Sequence, residues 1–264
     1  MPAPVLLIGA GRMGGALARG WAKQKIPVVA VEPNPSADLR KLKNIAIVES
    51  PERAKGNFRA CVIALKPQIF REQATRLKPL ARSGMPMISI AAGITAKFLK
   101  KAWGWKARII RAMPNTPGAI GRGISALYAA PGVNEANRKL AQSLLAALGE
   151  TLWVKREADM DAVTAVSGSG PAYVFLLVEA LTAAAKADGL PREIAMKLAR
   201  ATVSGAGALL DSDSAAAAEL RRQVTSPHGT TEAALKVLMA KNGLEALMIR
   251  AVAAARKRAV ALGA

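Results

Sequence analysis

The sequence predicts an α/β chain in which a doubly wound, largely parallel sheet is followed by an all-helical second half. Three observations predict it. From Val5 to Val154, short β-rich runs alternate with segments of helical character, the pattern of βα units. Several runs are apolar without alternation, as in Val62-Ile63-Ala64-Leu65, which suits strands covered on both faces. Beyond about residue 156, strand-like runs vanish, Ala and Leu dominate, and breakers fall between segments of helical length. The expected domains are therefore residues 1–155 and 156–264.

Taken in order, Val5 to Gly9 is the first strand, and the helix after it runs through Ala16, Leu17 and Trp21. Seven further strands are expected: Pro27 to Val31, Ile45 to Val48, Cys61 to Leu65, Met87 to Ala91, Arg108 to Met113, Ile124 to Ala129 and Thr151 to Val154. In the second half, Gly168-Ser169-Gly170 precedes a helix with Pro171 in its first turn, and Gly189-Leu190-Pro191 separates that helix from the next. Ser226-Pro227-His228-Gly229 interrupts again before Thr230. The segment from Ala172 to Ala185 is apolar on nearly every side and is expected to be wrapped by other helices or by a second subunit.

Composition narrows the function. With 52% hydrophobic and 21% charged residues, the chain has the balance of a globular protein. No apolar run is expected to span a bilayer, and Val5 to Ile8 is too short for a signal-peptide core, so a soluble, cytoplasmic protein without a membrane partner is expected. Cys61 is the only cysteine and His228 the only histidine, which offers no metal-ligand set. The net charge of +20 invites a nucleic-acid reading. The basic residues are scattered over most predicted helices, and four Trp, four Phe and two Tyr are few for base stacking, so no nucleic-acid partner is expected. Positive potential still draws anionic substrates and phosphate-bearing cofactors.

The turn Gly9-Ala10-Gly11-Arg12-Met13-Gly14 follows a strand ending at Ile8 and opens a helix, the context in which this glycine spacing binds a dinucleotide. Gly9 permits the tight reversal, Gly11 lets backbone approach the diphosphate, and Gly14 lets helix pack on strand. The helix N-terminus then offers N–H groups and a positive dipole to phosphate. A Rossmann-type domain is thus expected. Glu32, 18 residues beyond Gly14 at the end of the second strand, suits the adenosine ribose hydroxyls of NADH. Asn34, Ser36 and Arg40 would instead accept the 2′-phosphate of NADPH if Glu32 turned outward. Two more strand ends, Ala64-Leu65-Lys66-Pro67-Gln68 and Ser89-Ile90-Ala91-Ala92-Gly93, are expected to line the same crevice, with Ala64, Leu65, Lys66, Pro67, Ala91 and Ala92 against the cofactor.

Three polar stretches remain: Met113-Pro114-Asn115-Thr116-Pro117, Ser167-Gly168-Ser169-Gly170-Pro171-Ala172-Tyr173 and Val224-Thr225-Ser226-Pro227-His228-Gly229-Thr230-Thr231. They supply hydroxyl and N–H donors suited to a carboxylate, and little acid or base. Together with the glycine turn and Ala64 to Gln68, they give the chain a strong resemblance over nearly its whole length to the pyrroline-5-carboxylate reductases. The two hydroxyl-rich strings, about 55 residues apart, carry most of it.

The resemblance implies hydride transfer from NADPH or NADH to the C=N carbon of 1-pyrroline-5-carboxylate, giving L-proline in the last step of proline biosynthesis. It places Thr231 as the donor at the imine nitrogen. The N–H groups around Gly229, Thr230 and Thr231, with Ser167, Gly168, Ser169 and Gly170 nearby, would hold the substrate carboxylate, and Asn115 would lie on the cofactor side. It also implies a homodimer through the helical half, often assembled further. Two residues depart from the family pattern. His228 stands where glycine is common and is expected as a partly exposed loop residue rather than an extra proton donor. Arg12 replaces a neutral polar residue, and reaches either a cofactor phosphate or solvent. Hydroxyacid dehydrogenases, which need a stronger donor such as a lysine one turn beyond a glycine-rich loop, are excluded by Tyr173, Val174 and Phe175. A reductase of another cyclic imine and a non-enzymatic dinucleotide-binding protein are the remaining alternatives.

Overall fold

A computed structural model describes residues 2–263 and divides the chain into two compact units, one of residues 1–169 with 255–264 and the other of residues 170–254. The first unit holds an eight-stranded sheet: β1 (Val5–Ile8), β2 (Val28–Val31), β3 (Ile45–Val48), β4 (Ala60–Ile63), β5 (Pro86–Ser89), β6 (Arg108–Met113), β7 (Gly123–Ala129) and β8 (Gly149–Trp153). Each lies where the apolar runs predict a strand. The order is β3-β2-β1-β4-β5-β6-β7-β8, with every pairing parallel except β6 with β7. Only a short 3-10 turn, Thr116–Ile120, joins those two strands, too little chain for the crossover a parallel pair needs.

Strand alternation sends side chains into two cores. Val5 and Leu7 of β1 join Leu17 and Trp21 of α1 (Arg12–Lys23) and Leu144 and Leu145 of the Glu135–Leu145 helix, with Trp21 Nε1 donating to Leu144 O at 2.8 Å. Leu6 and Ile8 face the opposite way, onto Phe70, Leu77, Leu99 and Trp103. Burying both faces explains why the strands read as unbroken apolar runs.

The chain winds outward from β1 through β2 to β3 and then restarts on the other side at β4. The C-terminal ends of β1, β2 and β4 therefore flank the switch point, where open α/β sheets bind ligands.

The second unit is helical, with α8 (Gly170–Ala187) along α9 (Arg192–Ser212), and then α10 (Ala217–Gln223) and α11 (Thr230–Leu238); α2 to α7 are Ala37–Arg40, Pro67–Gln73, Lys78–Arg82, Ala96–Trp103, Glu135–Leu145 and Asp159–Val163, and α12 is Leu244–Gly263. Two expectations change here. The Ser-Gly-Ser-Gly-Pro stretch is not an open loop: Thr164–Gly168 forms a π-helical turn in which Ser169 N donates to Thr164 O at 2.8 Å. Pro171 has no N–H for the preceding turn, and a one-residue bulge accommodates that gap in a helix. Helical backbone consequently continues from Asp159 to Ala187, a helix of 29 residues that is long and apolar enough by length and composition to cross a membrane. The reading that no segment passes that test is corrected, because it treated the Gly-Pro stretch as a break. Nor does the chain wrap α8 by itself: none of its residues is buried, and Phe175 and Leu176 are each 62% exposed.

Candidate active site

The glycine turn is shaped by close contacts. Gly9 has φ +86°, and a Cβ there would sit 3.0 Å from Ala64 O and from Leu65 Cδ2. A Cβ on Gly14 would collide with the carbonyl oxygen of Gly9, so helix α1 approaches β1 more closely than any side chain allows. Gly11 differs, with no atom within 4 Å of a Cβ built on it. It is the N-cap of α1, no side chain caps the helix, and its first turn contains no acid. Open space over Gly11 and uncapped N–H groups behind it fit a diphosphate. Arg12 is exposed at this helix end and, among the described residues, pairs with no acid.

A cleft of 490 Å³ extends from the turn along the C-terminal ends of β1, β2 and β4, lined among others by Ile8, Gly9, Gly11, Glu32, Ala64, Leu65 and Lys66. Pro67 stands at the first position of α3 directly beyond. Glu32 is fixed in place here: Oε2 accepts from Ala10 N–H at 2.8 Å and Oε1 from Asn34 N–H at 3.1 Å. Two arginines near this rim are paired with acids. Arg76 meets Glu52 through Nε at 2.5 Å and Nη2 at 2.6 Å, which pushes the Glu52 carboxyl down to about 2, and Arg53 pairs with Glu49 at 3.1 Å. Ser36 Oγ accepts from Leu39 N–H as the N-cap of α2.

Ala91 and Ala92 follow β5, where Ala91 N–H donates to Ser89 Oγ at 3.3 Å. Gly93 next to them has φ +69° and packs against the Leu262 backbone, and Arg71 Nη2 ties both carbonyls together, at 3.2 Å to Gly93 O and 2.7 Å to Leu262 O. Arg71 carried no signal in the sequence because its partners are main-chain atoms. Asn115 Oδ1 accepts from Ile124 N–H at 3.0 Å and so latches the turn between β6 and β7.

In the second unit, the turn before α11 presents Thr231. His228 has φ +61°, a left-handed backbone that favours glycine over a residue with a side chain. Its N–H donates to Glu232 Oε2 at 2.6 Å, and Gly229 N–H donates to Ser226 O at 3.1 Å. Gly229 is the N-cap of α11 without a side-chain cap, leaving the Thr230 and Thr231 N–H groups at the open end of the helix. Among the described residues, the Thr231 hydroxyl donates to no protein acceptor. Other hydroxyls are tied to their own helix, with Ser167 donating to Val163 O at 3.1 Å, Thr182 to Val178 O at 2.8 Å and Thr225 to Arg221 O at 2.6 Å. Gly168 lies against Met113, whose Cε would be 2.6 Å from a Cβ there.

Known proteins match both parts. Residues 157–262 match the family model for pyrroline-5-carboxylate reductase dimerisation, and residues 4–93 that for coenzyme F420-dependent NADP oxidoreductases. A pyrroline-5-carboxylate reductase of Pseudomonas aeruginosa is 42% identical over 263 residues, covering 98% of this chain and 96% of the relative. The chain belongs to the pyrroline-5-carboxylate reductases. Among solved structures, the family member from Coxiella burnetii superposes with a TM-score of 0.91 at 34% identity, covering 99% of each chain. The Plasmodium falciparum pyrroline carboxylate reductase, solved with NADP bound, superposes at 0.83 with 30% identity, covering 99% of this chain and 98% of that one. Family membership makes this an NAD(P)H-dependent oxidoreductase of proline biosynthesis with a small-molecule substrate, and a homo-oligomer.

Proposed function

We propose that this chain reduces 1-pyrroline-5-carboxylate to L-proline, with Thr231 as the proton donor and NADH as the preferred reductant. Residues 1–155 would carry the dinucleotide, and residues 156–264 the subunit contact and the substrate groups. The observation that carries the substrate assignment is the Thr231 hydroxyl, which has no protein acceptor and stands beside the uncapped N–H groups of α11. When bound, the nicotinamide supplies hydride to the imine carbon. Thr231 Oγ holds a proton at the ring nitrogen as C=N becomes CH–NH, and a hydroxyl suffices because that nitrogen is itself basic. The Thr230 and Thr231 N–H groups receive the substrate carboxylate, whereas Gly229 N–H is already committed to Ser226. In the Ser167 to Gly170 stretch, the Ser169 hydroxyl is the better donor, since that of Ser167 is bonded to Val163. Holding the imine carbon in place for hydride transfer is the main catalytic contribution.

Ile8, Gly9, Ala10, Gly11, Met13, Gly14, Ala64, Leu65, Lys66 and Pro67 would hold the dinucleotide, with Ala91, Ala92 and the Asn115 amide nitrogen on its nicotinamide side. Glu32 supports NADH. Two backbone N–H groups keep its carboxylate in the cleft, where it favours ribose hydroxyls and repels a 2′-phosphate. Of the polar groups near the cleft, Arg76 and Arg53 are paired with acids and Ser36 accepts as a cap, while Arg12, Arg40 and Lys66 have no acid partner among the described residues, so the preference for NADH rests on Glu32.

A homodimer is the smallest assembly that covers α8, with dimers as the unit of any larger one. The apolar helix meets a second copy rather than lipid, in a cytoplasmic protein. Steady-state assays with both cofactors test the reading. NADH oxidation matched by L-proline formation is expected, with kcat/KM at least about 10-fold above that for NADPH, equivalent to about 1.4 kcal/mol. Glu32→Gln should narrow this ratio. Equal use of NADPH by the wild type would overturn the role of Glu32, and no turnover with either cofactor would overturn the activity.

A further inference from the structure

The turn Ala91-Ala92-Gly93 leaves the C-terminal end of β5 and is fastened by an arginine from another element. Arg71 is carried on α3 between Ile69 and Gln73, which both line the dinucleotide cleft. At about 100° per residue, Arg71 points away from that cleft, to the far side of the helix. There its guanidinium lies 5.3 Å from the centre of the Phe98 ring in the first turn of α5. The ring holds the cation by its face. Nη2 then donates to Gly93 O at 3.2 Å and to Leu262 O at 2.7 Å.

The two carbonyls are suited to a cation. Leu262 is one residue from the end of α12, so its carbonyl has no N–H partner within the helix and lies at the negative pole of the helix dipole. Gly93 is buried with φ +69°, and a Cβ on it would stand 2.9 Å from Leu262 O. Among the described residues, Arg71 pairs with no carboxylate, so its charge serves these main-chain oxygens. The far end of the turn is held separately. Glu157 Oε1 accepts from Ala96 N–H at 2.6 Å and from Arg111 Nη1 at 2.9 Å, which anchors the start of α5 without Arg71.

We propose that Arg71 is a positioning residue for hydride transfer: by tying the end of α12 to Gly93, it fixes where the Ala91-Ala92 backbone stands against the nicotinamide ring. This rests on the reading above that puts Ala91 and Ala92 on the nicotinamide side. Hydride transfer requires the reacting carbons in near contact, and a misplacement of about 1 Å costs about 100-fold in rate. The Gly11 turn and Glu32 hold the rest of the dinucleotide at the ends of β1 and β2, which β4 separates from β5 in the sheet. A displaced turn therefore slows the chemical step more than it weakens cofactor binding.

Single-turnover mixing of the full-length enzyme, saturated with NADH, with 1-pyrroline-5-carboxylate tests this. Arg71→Met keeps the aliphatic stem and removes both hydrogen bonds. Its rate constant should fall about 10-fold, with NADH affinity within about 3-fold of the wild type and the oligomeric mass unchanged. Arg71→Lys restores a cationic donor and should recover to within about 3-fold of the wild-type rate. Loss of folded protein would lower the amplitude of the trace and leave its rate constant alone. Without NADH, amide hydrogen exchange over residues 91–94 should quicken about 5-fold or more in Arg71→Met, while that of α5 is unchanged. Ala92→Leu probes the underlying placement and should weaken NADH binding about 10-fold. Undiminished NADH binding in Ala92→Leu would overturn that placement and the inference with it. Weakened binding there, combined with a wild-type rate constant or unchanged exchange in Arg71→Met, or with Arg71→Lys no faster than Arg71→Met, would overturn the role of Arg71 alone.

Discussion

The sheet unit and the helical unit solve the burial problem in different ways. In the first, strands of Val, Leu and Ile are covered on both faces, and residues such as Leu6, Leu7, Trp21 and Phe70 are fully buried within one chain. In the second, Ala195, Ala199 and Leu220 are the buried hydrophobic residues, while Phe175, Leu176, Leu198 and Leu210 are exposed by half or more. An apolar surface of that extent marks a contact with another molecule. The sheet unit therefore carries its stability within the chain, and the helical unit draws much of its own from assembly.

The largest effect is expected from breaking the second half of this comparison. Phe175→Glu places a charge in the exposed apolar face of α8 and should weaken subunit association by about 4 kcal/mol, as loss of a central interface anchor does. Light scattering at micromolar concentration should then show a monomer where the wild type is an oligomer. An unchanged mass would mean that α8 is covered in some other way.

A smaller effect is expected from Gly14→Ala in the sheet unit. Its methyl group would press on the carbonyl of Gly9, so the turn must open. NADH affinity should fall about 30-fold, roughly 2 kcal/mol, with the oligomer intact. Full affinity in this variant would show that the close approach of α1 to β1 does not shape the cofactor site.

The smallest effect sharpens the contrast from the side of the Thr231 turn. His228 holds a left-handed backbone that costs a non-glycine residue about 1 kcal/mol. His228→Gly should raise stability by about 0.5–1 kcal/mol, seen as a higher melting temperature, and should leave turnover unchanged. Lost activity would give the imidazole a role in the reaction.

How far the sequence could be read follows the same division. The eight strands and the dinucleotide turn were legible because burial on two faces and a backbone built for close approach both leave local patterns, apolar runs and spaced glycines. Glu32 was legible by its distance from Gly14, but its hold on Ala10 N–H was not, because side-chain direction is a tertiary matter. The π-helical turn at Thr164–Gly168 was missed, since Gly, Ser and Pro close together have the composition of a loop whichever way the chain bends. Thr231 was assigned through family resemblance, because a single hydroxyl at a helix start is chemically ordinary until a substrate is named.

Thr231 is also where the account is most exposed to test. Single-turnover reduction of 1-pyrroline-5-carboxylate by NADH should slow about 100-fold in Thr231→Ala, the scale of a lost proton donor, and recover in large part in Thr231→Ser, while NADH affinity stays within about 2-fold of the wild type. A turnover rate that is unaffected in Thr231→Ala, or an equal loss of cofactor affinity, would contradict the assignment of this hydroxyl to the imine nitrogen.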